Sequence, residues 1–276
     1  MIFENYSRGI ATSRDAWCYN FSKNQLAQNM SGMIDFYNCE VSRYKKACDG
    51  LAKENFPKVS DFISNDSQKI SWSFSLIKND IPKHKTHPYE ESSLNCGLYR
   101  PFIKEWCYFS KKFNDAIYQM PKIFPDASVE NLVICVSGVG ARSGFSAFLS
   151  SSLPDLELIE KSQCFPLKLF SPKTNETSSV QDLSPQDNLF ADAPKLASLF
   201  DEKTEGNFVV KDGITDAGLA HFSKNYAGEK ISKEDVFYYI YGLLHSQDYK
   251  EKFADNFGKR IAAHSKSKKS RRLLAF

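Results

Sequence analysis

No run in this chain approaches the ~20 consecutive apolar residues of a membrane span. Residues 1–20 carry Glu4, Arg8, Arg14 and Asp15 where a secretion signal would have an apolar core. The expectation is a cytoplasmic chain with no membrane partner. An excess of one charge is also lacking: 36 Lys and Arg stand against 33 Asp and Glu, a net +3. Any polyanion must therefore be met by a local cluster of cations, not by the whole surface. None of the seven cysteines falls in a C-x-x-C pair or beside a His at ligand spacing. They read as reduced, mostly buried thiols, and no metal site is expected. Catalytic signatures are missing too. There is no Gly-x-Ser-x-Gly elbow, Walker lysine, His-Glu-x-x-His or framed carboxylate pair, nor the Asn/Asp-Pro-Pro-Tyr/Phe that an adenine methyltransferase would need. The chain is expected to catalyse nothing by itself and to use no cofactor; scattered Ser, His and Asp are all that a small hydrolase would have in its favour.

What is present is enough for a core: 42% apolar and 25% charged residues over 276 positions. The organising stretch runs from Leu98 to Phe148. It holds β-prone aromatic runs at Leu98–Phe109 and Leu132–Val136. A turn at Gly138-Val139-Gly140 follows and exposes Arg142 and Ser143. That turn lacks the third glycine, the Gly-Lys-Ser/Thr and the closing acid of a nucleotide loop.

Upstream, residues 1–21 are polar and aromatic without a composed element, as though a preceding partner were missing. Ser22 then caps one long helix whose stripe is Leu26, Met30, Met33, Ile34, Tyr37, Val41 and Tyr44, with a kink expected near Ser31-Gly32. Lys69–Phe74 alternates like a strand with Trp72 and Phe74 on one side. Pro82–Pro88 is a basic loop carrying Lys83 and Lys85, and its two His lack further ligands. Asn114–Met120 predicts a short helix, Leu153–Asp155 a turn, and Gln163–Phe170 a strand. Residues 171–206 read as a polar excursion with a helical turn at Pro194–Phe200. Thr215 caps a helix over Asp216–Tyr226, Ser232–Asp235 approximates a capping box, and Gln247–Phe257 is a last helix.

Several of these segments, taken in order, resemble one family. They are Ser7-Arg8-Gly9-Ile10-Ala11-Thr12-Ser13-Arg14-Asp15-Ala16-Trp17, Asn29-Met30, Ile34-Asp35-Phe36-Tyr37-Asn38, Leu98-Tyr99-Arg100-Pro101-Phe102, Tyr118-Gln119-Met120-Pro121, Gly138-Val139-Gly140-Ala141, Pro154-Asp155-Leu156, Gln163-Cys164-Phe165-Pro166 and Asp235–His245. The likeness, over roughly residues 5–258, is to the C-terminal region of type ISP restriction-modification enzymes, which join nuclease, helicase-like ATPase, coupler, N6-adenine methyltransferase and target-recognition domains in one polypeptide. The resemblance implies a sequence-specific reader of double-stranded DNA, present without its catalytic domains, with a methyltransferase/helicase-nuclease polypeptide as a further partner. The family commonly has Asn where Ser13 stands. Its members continue with an E-L-P-R-I-P stretch and a later F-W pair, whereas this chain runs from Lys259 to Phe276 as a basic tail. A shifted reading frame permits both peptides, so the tail is expected to be a frameshift product and its Lys266–Arg272 run accidental.

The fold class expected is α+β: an N-terminal long helix, a central β-rich target-recognition domain and a C-terminal helical cap. The divisions are 1–50, which would pack on a methyltransferase, 51–210, 211–258, and the tail 259–276. Readers of duplex DNA need phosphate clamps and a few polar side chains on rigid loops. The candidates are Arg14, Arg100, Lys104, Lys111, Lys112, Arg142, Ser143 and Gln163, with Lys83 and Lys85 as backbone contacts. Arg14, between Asp15 and Trp17, reads as structural before base-reading. Arg100 either meets DNA or pairs with Glu105 or Asp115. A different class of function remains beside this one, a protein-interaction or dimerisation domain using the stripe of the long helix.

Overall fold

The computed structural model describes residues 1–173, 204–224, 226 and 228–254. The opening segment is threaded through the rest. Strand β1 (Ser7–Arg8), the short helix α1 (Asp15–Cys18) and strand β2 (Tyr19–Asn20) precede the long helix α2 (Lys23–Cys48) and the single turn α3 (Val59–Phe62). The hairpin β3 (Leu94–Arg100) and β4 (Ile103–Tyr108) is followed by β5 (Val133–Val136), β6 (Ala147–Ser150), β7 (Leu153–Pro154), β8 (Gln163–Pro166) and β9 (Lys168–Pro172). After residue 203 come β10 (Thr204–Glu205), β11 (Phe208–Asp212) and helices α4 (Asp216–Ser223), α5 (Lys233–His245) and α6 (Gln247–Lys252). The fold is α+β. Three small sheets are ordered β1-β8-β5-β6, β2-β4-β3-β7 and β10-β11-β9. All pairings are antiparallel except β3 with β7. The polar start that had no composed element is thus tied into two of the sheets.

Helix α2 starts where its cap predicts, with Ser22 Oγ accepting the Gln25 N–H at 3.3 Å, and it runs unbroken through Ser31-Gly32. Its stripe from Leu26 to Tyr44 is buried to 3% exposure or less. The covering residues are the chain's own: Ile63, Ile70, Leu76, Ile81, Leu94, Tyr108 and Phe113 share that core. At roughly 1.5–3 kcal/mol per large apolar side chain, this face is a main support of the fold. The apolar stripe is therefore covered within the chain and is not the surface that would meet a methyltransferase or a second copy. A second core lies between the first two sheets around Ile10, Leu98, Met120, Cys135 and Leu153, and a third joins Ile134, Val136 and Ile214 to Val236 and Phe237 of α5.

Other expectations also change. Lys69–Phe74 is not a strand: Ser73 Oγ accepts the Leu76 N–H at 3.1 Å and starts a helical turn, which runs into a π-helical turn at Leu76–Asp80. Trp72 is half-buried, its Nε1 donating to the Ser64 carbonyl, while Phe74 is exposed. Asn114–Met120 is not a helix, because Ala116 exchanges both backbone hydrogen bonds with Ala11, at 2.8 and 3.0 Å. Gln163–Phe170 is two strands: β8 pairs with β1 and β5, β9 with β11, and Leu167 between them bonds Leu132 and Gly213. Leu153-Pro154 is not only a turn but pairs with Gly97-Leu98. Thr215 and Ser232 cap α4 and α5 as read, the latter with a full capping box. The excursion's middle, its turn at Pro194–Phe200, the end of the last helix and the basic tail with its shifted-frame reading lie outside the described residues. Five of the seven free cysteines are buried; Cys39 and Cys96 are exposed. Among the described residues no helix is long and apolar enough to cross a membrane.

Candidate nucleic-acid interface

The loop joining β5 to β6 carries Arg142. Its neck is closed by the Ser137 N–H on the Ser146 carbonyl at 3.0 Å and the Ser146 N–H on Ser137 Oγ at 2.9 Å. Gly138 is required there, since a Cβ would lie 2.2 Å from the Lys161 carbonyl oxygen. The tip is held from below by a turn in which Glu160 and Lys161 both take left-handed backbone angles, φ 60° and 56°. Glu160 accepts the Arg142 N–H at 2.7 Å, the Ser143 N–H at 2.9 Å and the Ser143 hydroxyl at 2.8 Å. Those amides, followed by the hydroxyl, pull its pKa down to about 2. Lys161 Nζ donates to the Gly140 carbonyl at 2.8 Å. The loop is thus rigid without any ligand. Arg142 is exposed, and its guanidinium makes no ion pair among the described residues. A cleft of ≈ 410 Å³ between this loop and α6, lined by Ser137, Ala141, Phe145 and Lys250, adds a second cation.

The β3–β4 hairpin meets the same edge. At its tip Phe102 is 88% exposed with φ 66°, and its ring stands edge-on to Phe148 of β6 with centroids 5.4 Å apart. Arg100, at the end of β3, is engaged within the fold. Its Nη1 lies 2.8 Å from Asp155 Oδ1, its Nη2 3.9 Å from Asp15, and the guanidinium stacks 3.8 Å from the Tyr99 ring centroid. Tyr19 and Tyr99 donate to the same two carboxylates, at 3.0 and 2.9 Å, and the Thr12 hydroxyl also reaches Asp15. Burial pushes the Asp155 pKa up even so, against the Glu157 amide, Arg100 and Tyr19, which pull it down. Arg100 is therefore a structural pin, with Asp155 and Asp15 as partners in place of the expected Glu105 or Asp115. Lys104, in contrast, is exposed and forms no ion pair among the described residues.

The remaining candidates lie elsewhere. β4 runs about 17 Å from Ile103 to Tyr108 at strand rise, and beyond that far end Lys112 at 3.2 Å and His87 at 2.8 Å share the Oδ2 oxygen of Asp80. Lys111, Lys83 and Lys85 are exposed nearby in the chain, and the Lys85 carbonyl accepts the Tyr37 hydroxyl of α2. Two candidates are buried, Arg14 in the structural role that its flanking residues favour. Arg14 is buried, donating to the Phe113 carbonyl at 2.7 Å, and Gln163 is buried in β8 opposite Arg8. Neither has surface to offer. Sequence reasoning missed Phe102, which an aromatic run disguises as core, and Lys161 and Lys250, which stand in no cluster.

The model for the type ISP C-terminal specificity domain matches residues 1–271. The chain belongs to this family. Solved structures agree over 94% of the chain: a DrdV–DNA complex at 31% identity and TM-score 0.70, and a nuclease-deletion mutant of the type ISP enzyme LlaGI with a DNA substrate mimic at 27% and 0.68. The ATP-dependent type ISP enzyme LlaBIII bound to DNA follows at 28% and 0.64, again over 94%. This specificity domain corresponds to only 21%, 19% and 14% of those three chains. No curated protein matches it. A specificity domain is not a catalytic one, and no group of His, Cys, Asp and Glu able to hold a metal occurs among its described residues.

Proposed function

We propose that this type ISP specificity domain reads a target sequence in double-stranded DNA in the cytoplasm, and that methyltransferase and helicase-nuclease domains working with it supply all catalysis. The observation that carries the reading is Arg142, a cation without an ion pair among the described residues, on a loop whose backbone is fixed in advance by Glu160. Rigid presentation lowers the ordering cost of a bidentate contact to a base edge or phosphate. Lys104 sits on the neighbouring hairpin, and Lys83, Lys85 and Lys111 form a second cationic patch beyond the far end of β4. The length of β4, about 17 Å, corresponds to about five base pairs of duplex, so the two groups of cations suit phosphates several base pairs apart on one DNA molecule. Ser143 contributes through its oxygen, its proton being given to Glu160.

The test is fluorescence anisotropy of the full chain with a random-sequence duplex pool across a salt series, with Arg142→Ala alongside. Binding that weakens with salt and with the substitution is expected. Wild-type chain that leaves the duplex unbound even at low salt would overturn the reading.

A further inference from the structure

Phe102 is an exposed ring that the fold takes trouble to present. It sits at a hairpin tip with φ 66°, a conformation that bulky residues rarely adopt and that Gly or Asn would occupy at less cost. It is 88% exposed, so the ring returns almost none of that cost by burial. What it does have is a brace: Phe148 lies edge-on at 5.4 Å, and Phe148 sits two residues beyond the clamped neck of the Arg142 loop. The hairpin beneath it is pinned by Arg100 to Asp155 and stacked on Tyr99. An apolar ring is therefore held outward on a stiff β-ribbon, next to exposed Lys104 and against the strand that follows the Arg142 loop.

We propose that Phe102 is a wedge that enters a base step of the bound duplex and stacks on an unpaired or tilted base. This rests on the proposed reading of duplex DNA and deepens it, since none of the cations explains an apolar tip. Apolar side chains inserted between base pairs cost a few kcal/mol of unstacking, offset by the stacking regained and by the bent backbone. Cations nearby hold the phosphates on either side of the opened step, and Phe148 prevents the ring from folding back. The chemistry recognised is a π-face, common to every base, so the wedge confers deformability readout and not a base identity.

A wedge prefers DNA whose unstacking is already done. The experiment compares binding of the full chain to a fluorescein-labelled duplex and to the same duplex with one central abasic site, for wild type, Phe102→Ala and Phe102→Trp. The wild type is expected to bind the abasic duplex about tenfold more tightly. Phe102→Ala loses that preference while keeping salt-sensitive binding to the intact duplex, and Phe102→Trp retains it. Thermal melting of Phe102→Ala is expected at or above the wild-type midpoint, which separates a lost wedge from a damaged fold. Equal preference in wild type and Phe102→Ala, or no preference in the wild type, overturns the wedge while leaving DNA reading intact. Failure of the wild type to bind either duplex overturns DNA reading itself.

Discussion

The Glu160 carboxylate binds the backbone N–H of Arg142 at 2.7 Å, occupying the position that an incoming phosphate would otherwise take on that amide. Its second oxygen takes the Ser143 amide and hydroxyl. The exposed loop therefore carries its own anion, and what is left for DNA is the Arg142 side chain.

Glu160→Ala is expected to release the loop. Amide hydrogen exchange at Arg142 and Ser143 should accelerate, and DNA affinity should fall although no DNA-facing group is removed. Acid should mimic the substitution. The carboxyl is held below its ordinary value of 4.5, at about 2, so the anchoring is fully present above 4.5 and is lost as the pH falls through about 2. Exchange that stays slow in Glu160→Ala would show that the loop holds its shape by other means.

Lys104 and Lys112 look alike in the sequence, four residues either side of Tyr108, and the structure separates them. Lys104→Ala should reduce the slope of log affinity against log salt by about 1 and leave stability unchanged. Lys112→Ala should leave the slope unchanged and cost up to about 1 kcal/mol of stability, since Lys112 is partly exposed but holds buried Asp80. Burial alone would raise the Asp80 pKa, yet bonds from His87 and Lys112 outweigh it and the net shift is downward. The stability gained from that site is present above the ordinary 3.8 and disappears as pH falls through the lower folded value. Salt titration of binding and urea unfolding, run on both variants, check the pair.

The same contrast shows what was legible in the chain. Periodicity and caps located α2, α4 and α5 because those signals are local: Ser22, Thr215 and Ser232 each close a hydrogen bond within three residues. Segments fixed by distant partners were misread. Asn114–Met120 has helical composition, but Ala116 is claimed by Ala11, and Trp72 is turned away from Phe74 by Ser73 and Ser64. For the candidate site, the glycine turn announced Arg142. The flanking Asp15 and Trp17 pointed to a structural Arg14, but nothing local announced that Gln163 would be buried, since β8 is covered by β1. Phe102 was hidden by the opposite problem, an aromatic beside aromatics that the backbone alone turns outward.

Arg100 tests whether the pin under the hairpin is electrostatic. Arg100→Ala leaves Asp155 buried with only Tyr19 and the Glu157 amide as donors, and should cost about 1–3 kcal/mol in urea unfolding at neutral pH. Arg100→Lys should recover part of it, since a single ammonium cannot reach Asp155 and Asp15 while stacking on Tyr99. The sign of the pH dependence is fixed by Asp155. Its folded pKa already stands above the ordinary value because of burial, and removal of Arg100 should raise it further. Below that raised value the folded carboxyl takes up a proton more readily than the unfolded one, and the charge that Arg100 balanced is gone. The deficit of Arg100→Ala should therefore shrink as pH falls into the mildly acidic range. A deficit of equal size at neutral and mildly acidic pH would mean that the arginine acts by packing on Tyr99, and that Tyr19 and the Glu157 amide suffice to hold the carboxylate beneath it.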